Sequence, residues 1–145
     1  MRDLPRQLSL DELAELFEGR TRLAEQLAAR EHPLETASEA ITELTEEERL
    51  EALNAHPAIG ARDLSARSAE EQGPSAEPVV LTELAYLNQV YEEKFGFRFV
   101  VFVNRRSKAE ILEVLRARLE RTREEELETA LSELVAIARD RWVRS

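Results

Sequence analysis

Four times along this chain a serine or threonine is followed three residues later by a glutamate and then by an apolar stripe: Ser9 with Glu12, Thr45 with Glu48, Ser107 with Glu110, and Thr122 with Glu125. That spacing lets the hydroxyl accept from a backbone N–H in the first turn of a helix while the carboxylate reaches back to the capping residue's own N–H. Two donors that a helix start leaves orphaned are thereby satisfied. Behind the first box come Leu10, Leu13, Leu16 and Phe17, behind the second Leu50 and Leu53, and behind the third Ile111, Leu115 and Leu119. Behind the fourth come Leu127, Ala130, Leu131, Leu134, Ile137 and Ala138. Apolar residues recurring at three- and four-residue intervals mark helices rather than strands. Reciprocal start signals repeated this often constrain the chain to an all-α fold.

Weaker helices fill the intervals. One runs from about Thr21 to Arg30 on Leu23 and Leu27 and ends at the His32-Pro33 break, and another uses Ala37, Ala40, Ile41 and Leu44. A third, from about Pro78 to Lys94, uses Leu84, Leu87 and Tyr91 and stops at Gly96. Gly19 is expected to close the first helix in a left-handed turn. The run Phe97 to Val103, FRFVVFV, is β-rich but has no partner strand, so it is expected to be buried extended chain between helices. Between His56 and Pro78 lie residues of weak pattern containing Gly60, Gly73 and Pro74, a connection longer than compact domains use without a functional reason. The expected architecture is a single-domain compact helical bundle over residues 1–145, of about seven or eight helices with one extended segment near Phe97–Val103. A chain of this size buries roughly 68–70% of its unfolded surface, enough for a core without staples.

The absence of cysteine excludes disulfides, thiolate metal sites and cysteine nucleophiles, and points to the cytoplasm. No apolar run approaches the length of a membrane span, and the N-terminus carries charges where a signal peptide would need its apolar region. A formal charge of −10 and a pI near 4.8 argue against a nucleic-acid partner, which requires clustered Lys and Arg. The same field opposes an anionic ligand unless local cations overcome it. Two histidines without an HExxH motif make no metal-ligand set, and there is no glycine-rich phosphate loop. Any chemistry is therefore expected to be cofactor-free and to use acid, base and cation side chains.

Three places offer such side chains. His56 precedes Pro57, which pushes it out of the α region and places it at the mouth of the preceding helix, as either a reactive group or a partner of the helix dipole. Ser68, Glu71 and Gln72 form a polar cluster with the spacing of another capping box, yet Gly73-Pro74 follows at once and leaves little helix to cap. Arg141 falls on the apolar stripe of the last helix, where either its stem packs while its head reaches solvent or its guanidinium faces a cavity that binds a carboxylate.

Read together, the order HPxxG at His56, SxxEQ at Ser68, LN at Leu87, KFGFxFV at Lys94, SxxEIL at Ser107 and ALxELxxIAxxR ending on Arg141 resembles one family across about residues 9–142. That family is the 2-oxo-4-hydroxy-4-carboxy-5-ureidoimidazoline (OHCU) decarboxylases, carboxy-lyases of uric acid degradation in purine catabolism that make (S)-allantoin. The resemblance implies an all-helical homodimer that acts without a cofactor on a small anionic substrate. Position by position, it implies that His56 is the proton donor and Glu71 a second catalytic residue. Pro57, Ser68, Gln72 and Arg141 would bind substrate, together with the backbone of Phe99, Val100, Val101, Phe102 and Val103. The chain departs from the family pattern at Ala58 and Ile59, where Asp-Leu is common, at Arg98, where proline is usual, and at Asn104 in place of an arginine. On the residues alone two other readings stay open: an acidic helical protein-interaction module, and a family member acting on another small ureido or hydroxy acid.

Overall fold

All four reciprocal capping boxes form. At the first, Ser9 Oγ accepts from the Glu12 N–H at 3.1 Å and the Glu12 carboxylate accepts from the Ser9 N–H at 3.0 Å; the pattern repeats at Thr45, Ser107 and Thr122. Such a cap contributes about 1 kcal/mol to its helix. At the third and fourth boxes the hydrogen bonds from Ser107 and Thr122 hold the Glu110 and Glu125 carboxyls below the usual glutamate range.

The computed structural model describes residues 2–59 and 77–145. Among them the chain forms α1 (Leu10–Leu16), α2 (Arg22–Ala28), α3 (Ala37–Thr42), α4 (Glu46–Asn54), α5 (Pro78–Phe95), α6 (Lys108–Arg118) and α7 (Arg123–Arg144), with no strand. The all-α expectation holds, and no helix among the described residues is long and apolar enough to cross a membrane. The second helix is shorter than its apolar pattern suggested, ending at Ala28 rather than near Arg30. The 22-residue α7 packs against α1, α3 and α4, while α5 packs against α6.

One helix end differs from the sequence expectation. Glu18, not Gly19, takes the left-handed position after α1, with φ 64°. The Gly19 N–H then bonds back to the Ala14 carbonyl at 2.9 Å, the six-to-one bond that closes a Schellman turn. A residue with a side chain is less stable there than glycine by about 1 kcal/mol. Gly96, by contrast, closes α5 as expected at φ 81°.

The segment after Gly96 is extended and has no sheet partner among the described residues, and Phe97, Phe99, Val100, Val101 and Val103 are buried while Phe102 is half-buried. Side chains take the place of a neighbouring strand, three of them from helices and the fourth from Arg106, ahead of α6. Asn54 Oδ1 accepts from the Arg98 N–H at 3.0 Å, Glu133 accepts from the Phe102 N–H at 3.2 Å, Arg118 donates to the Val100 carbonyl at 2.8 Å, and Arg106 donates to the Phe102 carbonyl at 2.6 Å. These bonds satisfy the Arg98 and Phe102 N–H groups and the Val100 and Phe102 carbonyls, which burial would otherwise strand. The segment also packs through Phe97 and Phe99 against Tyr91, at centroid distances of 5.9 and 5.2 Å.

Beneath it lies a buried ionic network. Glu126 is fully buried and accepts from Arg118 Nε at 2.7 Å, from the Tyr91 hydroxyl at 2.6 Å and from Arg121 at 2.8 Å. Burial, and next the hydrogen bond to Glu126, push the Tyr91 hydroxyl above its ordinary range.

Candidate functional site

His56 follows the last turn of α4, where its own N–H still bonds to the Leu53 carbonyl at 3.2 Å. The turn buries the imidazole, leaving the residue 8% exposed, and its Nδ1 has no hydrogen-bond partner among the described residues. Burial in the first place, then the Arg141 and Arg98 cations, opposed by the Glu18 anion, lower its pKa from 6.5 to about 4. At neutral pH the ring is therefore uncharged, and a neutral ring is no charged partner for the helix dipole. That place belongs to Arg98, whose Nη1 donates to the carbonyls of Asn54 at 3.3 Å and His56 at 2.7 Å at the negative end of α4. The position where the family pattern has proline thus ties the extended segment to the histidine turn. A proline there could not donate the backbone bond to Asn54.

Arg141 occupies the core face of α7 and is 3% exposed, so its head does not reach solvent. Its Nη2 lies 3.0 Å from Glu18 Oε1, and its Nη1 donates to the Leu16 carbonyl at 3.0 Å. The C-terminal turn of α1 thus holds the guanidinium through a carboxylate and a carbonyl, while α7 supplies its stem. Arg141 and Glu18 both act on the His56 imidazole, so regions from near the two ends and from the middle of the chain meet electrostatically in one place.

Pro57 is half-buried beside His56. Of the extended segment, the N–H groups of Val101 and Val103 have no acceptor among the described residues. Ser68, Glu71 and Gln72 lie outside the described residues. Ala58 and Ile59 border a cavity of about 490 Å³ against α5, whose wall carries Asn88, Glu92 and Glu93; two glutamates make it a poor receptor for an anion. Asn104 serves a turn, adopting φ 46° ahead of Arg105 at φ 66°, a region asparagine tolerates better than most residues. Among the described residues no group of three or more His, Asp or Glu is placed to hold a metal ion.

Sequence reasoning missed two members of this cluster. Nothing local marks Glu18, because the neighbouring glycine offers the more usual helix end. Arg98 stood out only as a departure from the family pattern.

Fold and cluster define the class: an all-α protein that buries a neutral imidazole near a paired guanidinium. The particular family follows from similarity, since residues 2–143 match the family model described as OHCU decarboxylase. The chain belongs to the OHCU decarboxylase family. It is 33% identical over 143 residues to the uric acid degradation bifunctional protein PucL of Bacillus subtilis, covering 90% of this chain and 29% of that protein. It is 32% identical over 103 residues to the 2-oxo-4-hydroxy-4-carboxy-5-ureidoimidazoline decarboxylase of Halalkalicoccus jeotgali, covering 68% of this chain and 58% of that one. The chain thus spans less than two thirds of the length of either relative. Its fold is similar to a crystal structure of OHCU decarboxylase in the presence of (S)-allantoin, with a TM-score of 0.77 and 27% identity over 92% of this chain and 96% of that one.

Proposed function

We propose that this chain decarboxylates OHCU to (S)-allantoin in uric acid degradation, without a cofactor. The observation that carries the reading is the buried, uncharged His56 within electrostatic reach of the buried Arg141, in a chain of this family. Arg141 and the unpaired N–H groups near Val101 would hold the anionic groups of the substrate, in a region where low dielectric strengthens each such bond. Breaking the bond to the departing CO2 leaves an electron pair that delocalises into the ring system. A proton delivered to one face by His56 then fixes the stereocentre. Because the imidazole is neutral in the free protein, it must gain its proton when substrate is bound. Burial chiefly disfavours the imidazolium, and a carboxylate on Arg141 favours protonation by cancelling one of the two cations that add to that effect. Glu71 would accept the proton of the 4-hydroxyl. Pro57, Ser68, Gln72 and the Phe99–Val103 backbone would complete the binding surface.

Residues 1–145 are taken as one domain from their length and as cytoplasmic from the absence of cysteine, and the family resemblance makes the protein a homodimer, which sedimentation equilibrium tests. The activity is tested with substrate generated in situ and followed by circular dichroism for chiral allantoin. Acceleration over the uncatalysed rate, with a loss of at least roughly a hundredfold in kcat for His56→Ala, is the expected result. A correctly folded protein that leaves the spontaneous rate unchanged refutes it.

A further inference from the structure

Glu18 has been given no role in the reaction, yet three features of its position converge on the same pair of side chains. Its backbone is left-handed at φ 64°, although glycine, which enters that region freely, is the next residue. Backbone held this way by a residue with a side chain tends to collect at functional sites. The turn it makes also presents two acceptors to one guanidinium, Glu18 Oε1 at 3.0 Å and the Leu16 carbonyl at 3.0 Å. Lastly, the Arg141 side chain is 1% exposed and that of Glu18 15%, so the carboxylate lies nearer the surface than the cation it pairs with.

We propose that Glu18 is the positioning residue of this site: its carboxylate, carried by the left-handed turn after α1, aims the buried Arg141 guanidinium and offsets that cation's charge at the His56 imidazole. The inference rests on the reading of His56 as proton donor and Arg141 as the cation that binds substrate. Among the described groups acting on the imidazole, Arg141 on α7 and Arg98 on the extended segment disfavour its protonation, and Glu18 favours it. When the carboxylate of a small molecule docks on Arg141, it neutralises that cation and leaves the Glu18 charge acting on the ring. Protonation of the imidazole is then less disfavoured, with burial and Arg98 still opposing it. Substrate binding and readiness to donate a proton are coupled through one ion pair.

Two variants separate charge from aim. In Glu18→Gln the amide oxygen still accepts from the guanidinium, so aim survives and only the charge is lost. In Glu18→Gly the side chain is gone and the left-handed turn is relieved, which offsets about 1 kcal/mol of the cost of leaving the buried guanidinium without this counter-ion, so its kinetics are read on protein shown to be folded by far-UV circular dichroism. For Glu18→Gln we expect His56, followed by NMR without substrate, to titrate at lower pH than in wild type. Its kcat should fall about tenfold, one decade per unit of displaced proton affinity, without a rise in KM. For Glu18→Gly we expect KM to rise roughly tenfold to a hundredfold as well, the range for losing a charged hydrogen bond. A residue that only closes the helix would change the melting temperature and leave titration and kinetics alone. Unchanged His56 titration in Glu18→Gln, or kinetic constants within about twofold of wild type in both variants, overturns the proposal. Failure of the wild-type protein to turn over OHCU would instead sink the functional reading, with the substrate-free titration still deciding the place of Glu18.

Discussion

Replacing His56 with asparagine should erase a defined part of this protein's sensitivity to acid. In the unfolded chain the imidazole titrates near 6.5, and in the folded protein near 4, chiefly because it is buried. Between those values the unfolded chain binds a proton that the folded protein refuses, so acid favours unfolding. The stability at stake is fully present above about pH 6.5 and is lost as pH falls toward 4. At about 1.36 kcal/mol per unit the whole effect is roughly 3 kcal/mol, of which about 2 kcal/mol disappears between pH 7.5 and pH 5. With only 8% of the residue exposed, solvent screening reduces this little. The assay is chemical denaturation of wild type and His56→Asn at both pH values. His32 and the carboxylates are common to the two proteins and drop out of the difference. The wild type should lose about 2 kcal/mol more than the variant on going to pH 5. Equal losses in the two proteins would mean that the imidazole is not desolvated, and the argument for a neutral, substrate-charged proton donor would fail with it.

Other perturbations test the frame around the site. Glu126→Gln removes the charge that Arg118 and Arg121 share and leaves Arg118 buried without its counter-ion; it should cost roughly 3–5 kcal/mol, or about 3 °C of melting temperature per kcal/mol. A variant that melts within about 2 °C of wild type would show that the network is not worth its burial. Arg98→Met removes a cation that lowers the His56 pKa and the guanidinium that meets the carbonyls at the end of α4. It should move the His56 titration upward and cost about 1 kcal/mol of stability, and an unmoved titration by NMR refutes the assignment. Ser107→Ala removes the hydroxyl of one capping box while leaving Glu110 in place, for a loss of about 1 kcal/mol in denaturation; no loss would mean the reciprocal cap is decorative.

The sequence by itself determined where the helices of this protein start. The boxes at Ser9, Thr45, Ser107 and Thr122 are contracts between residues three apart, and such local hydrogen bonds form whatever the rest of the chain does. It also determined that FRFVVFV would be extended and buried, because β-branched and aromatic residues without a partner strand have nowhere else to go. Arg141 was visible as an arginine on an apolar stripe, but whether its head snorkelled or stayed inside depended on the end of α1, far away in sequence. Only the tertiary structure decided that Glu18 meets it, that Arg98 rather than His56 answers the dipole of α4, and that His56 is uncharged at neutral pH. Helix signals are read between neighbours along the chain, whereas desolvation and ion pairing are set by which distant surfaces close over a group. No spacing rule in one sequence encodes that closure.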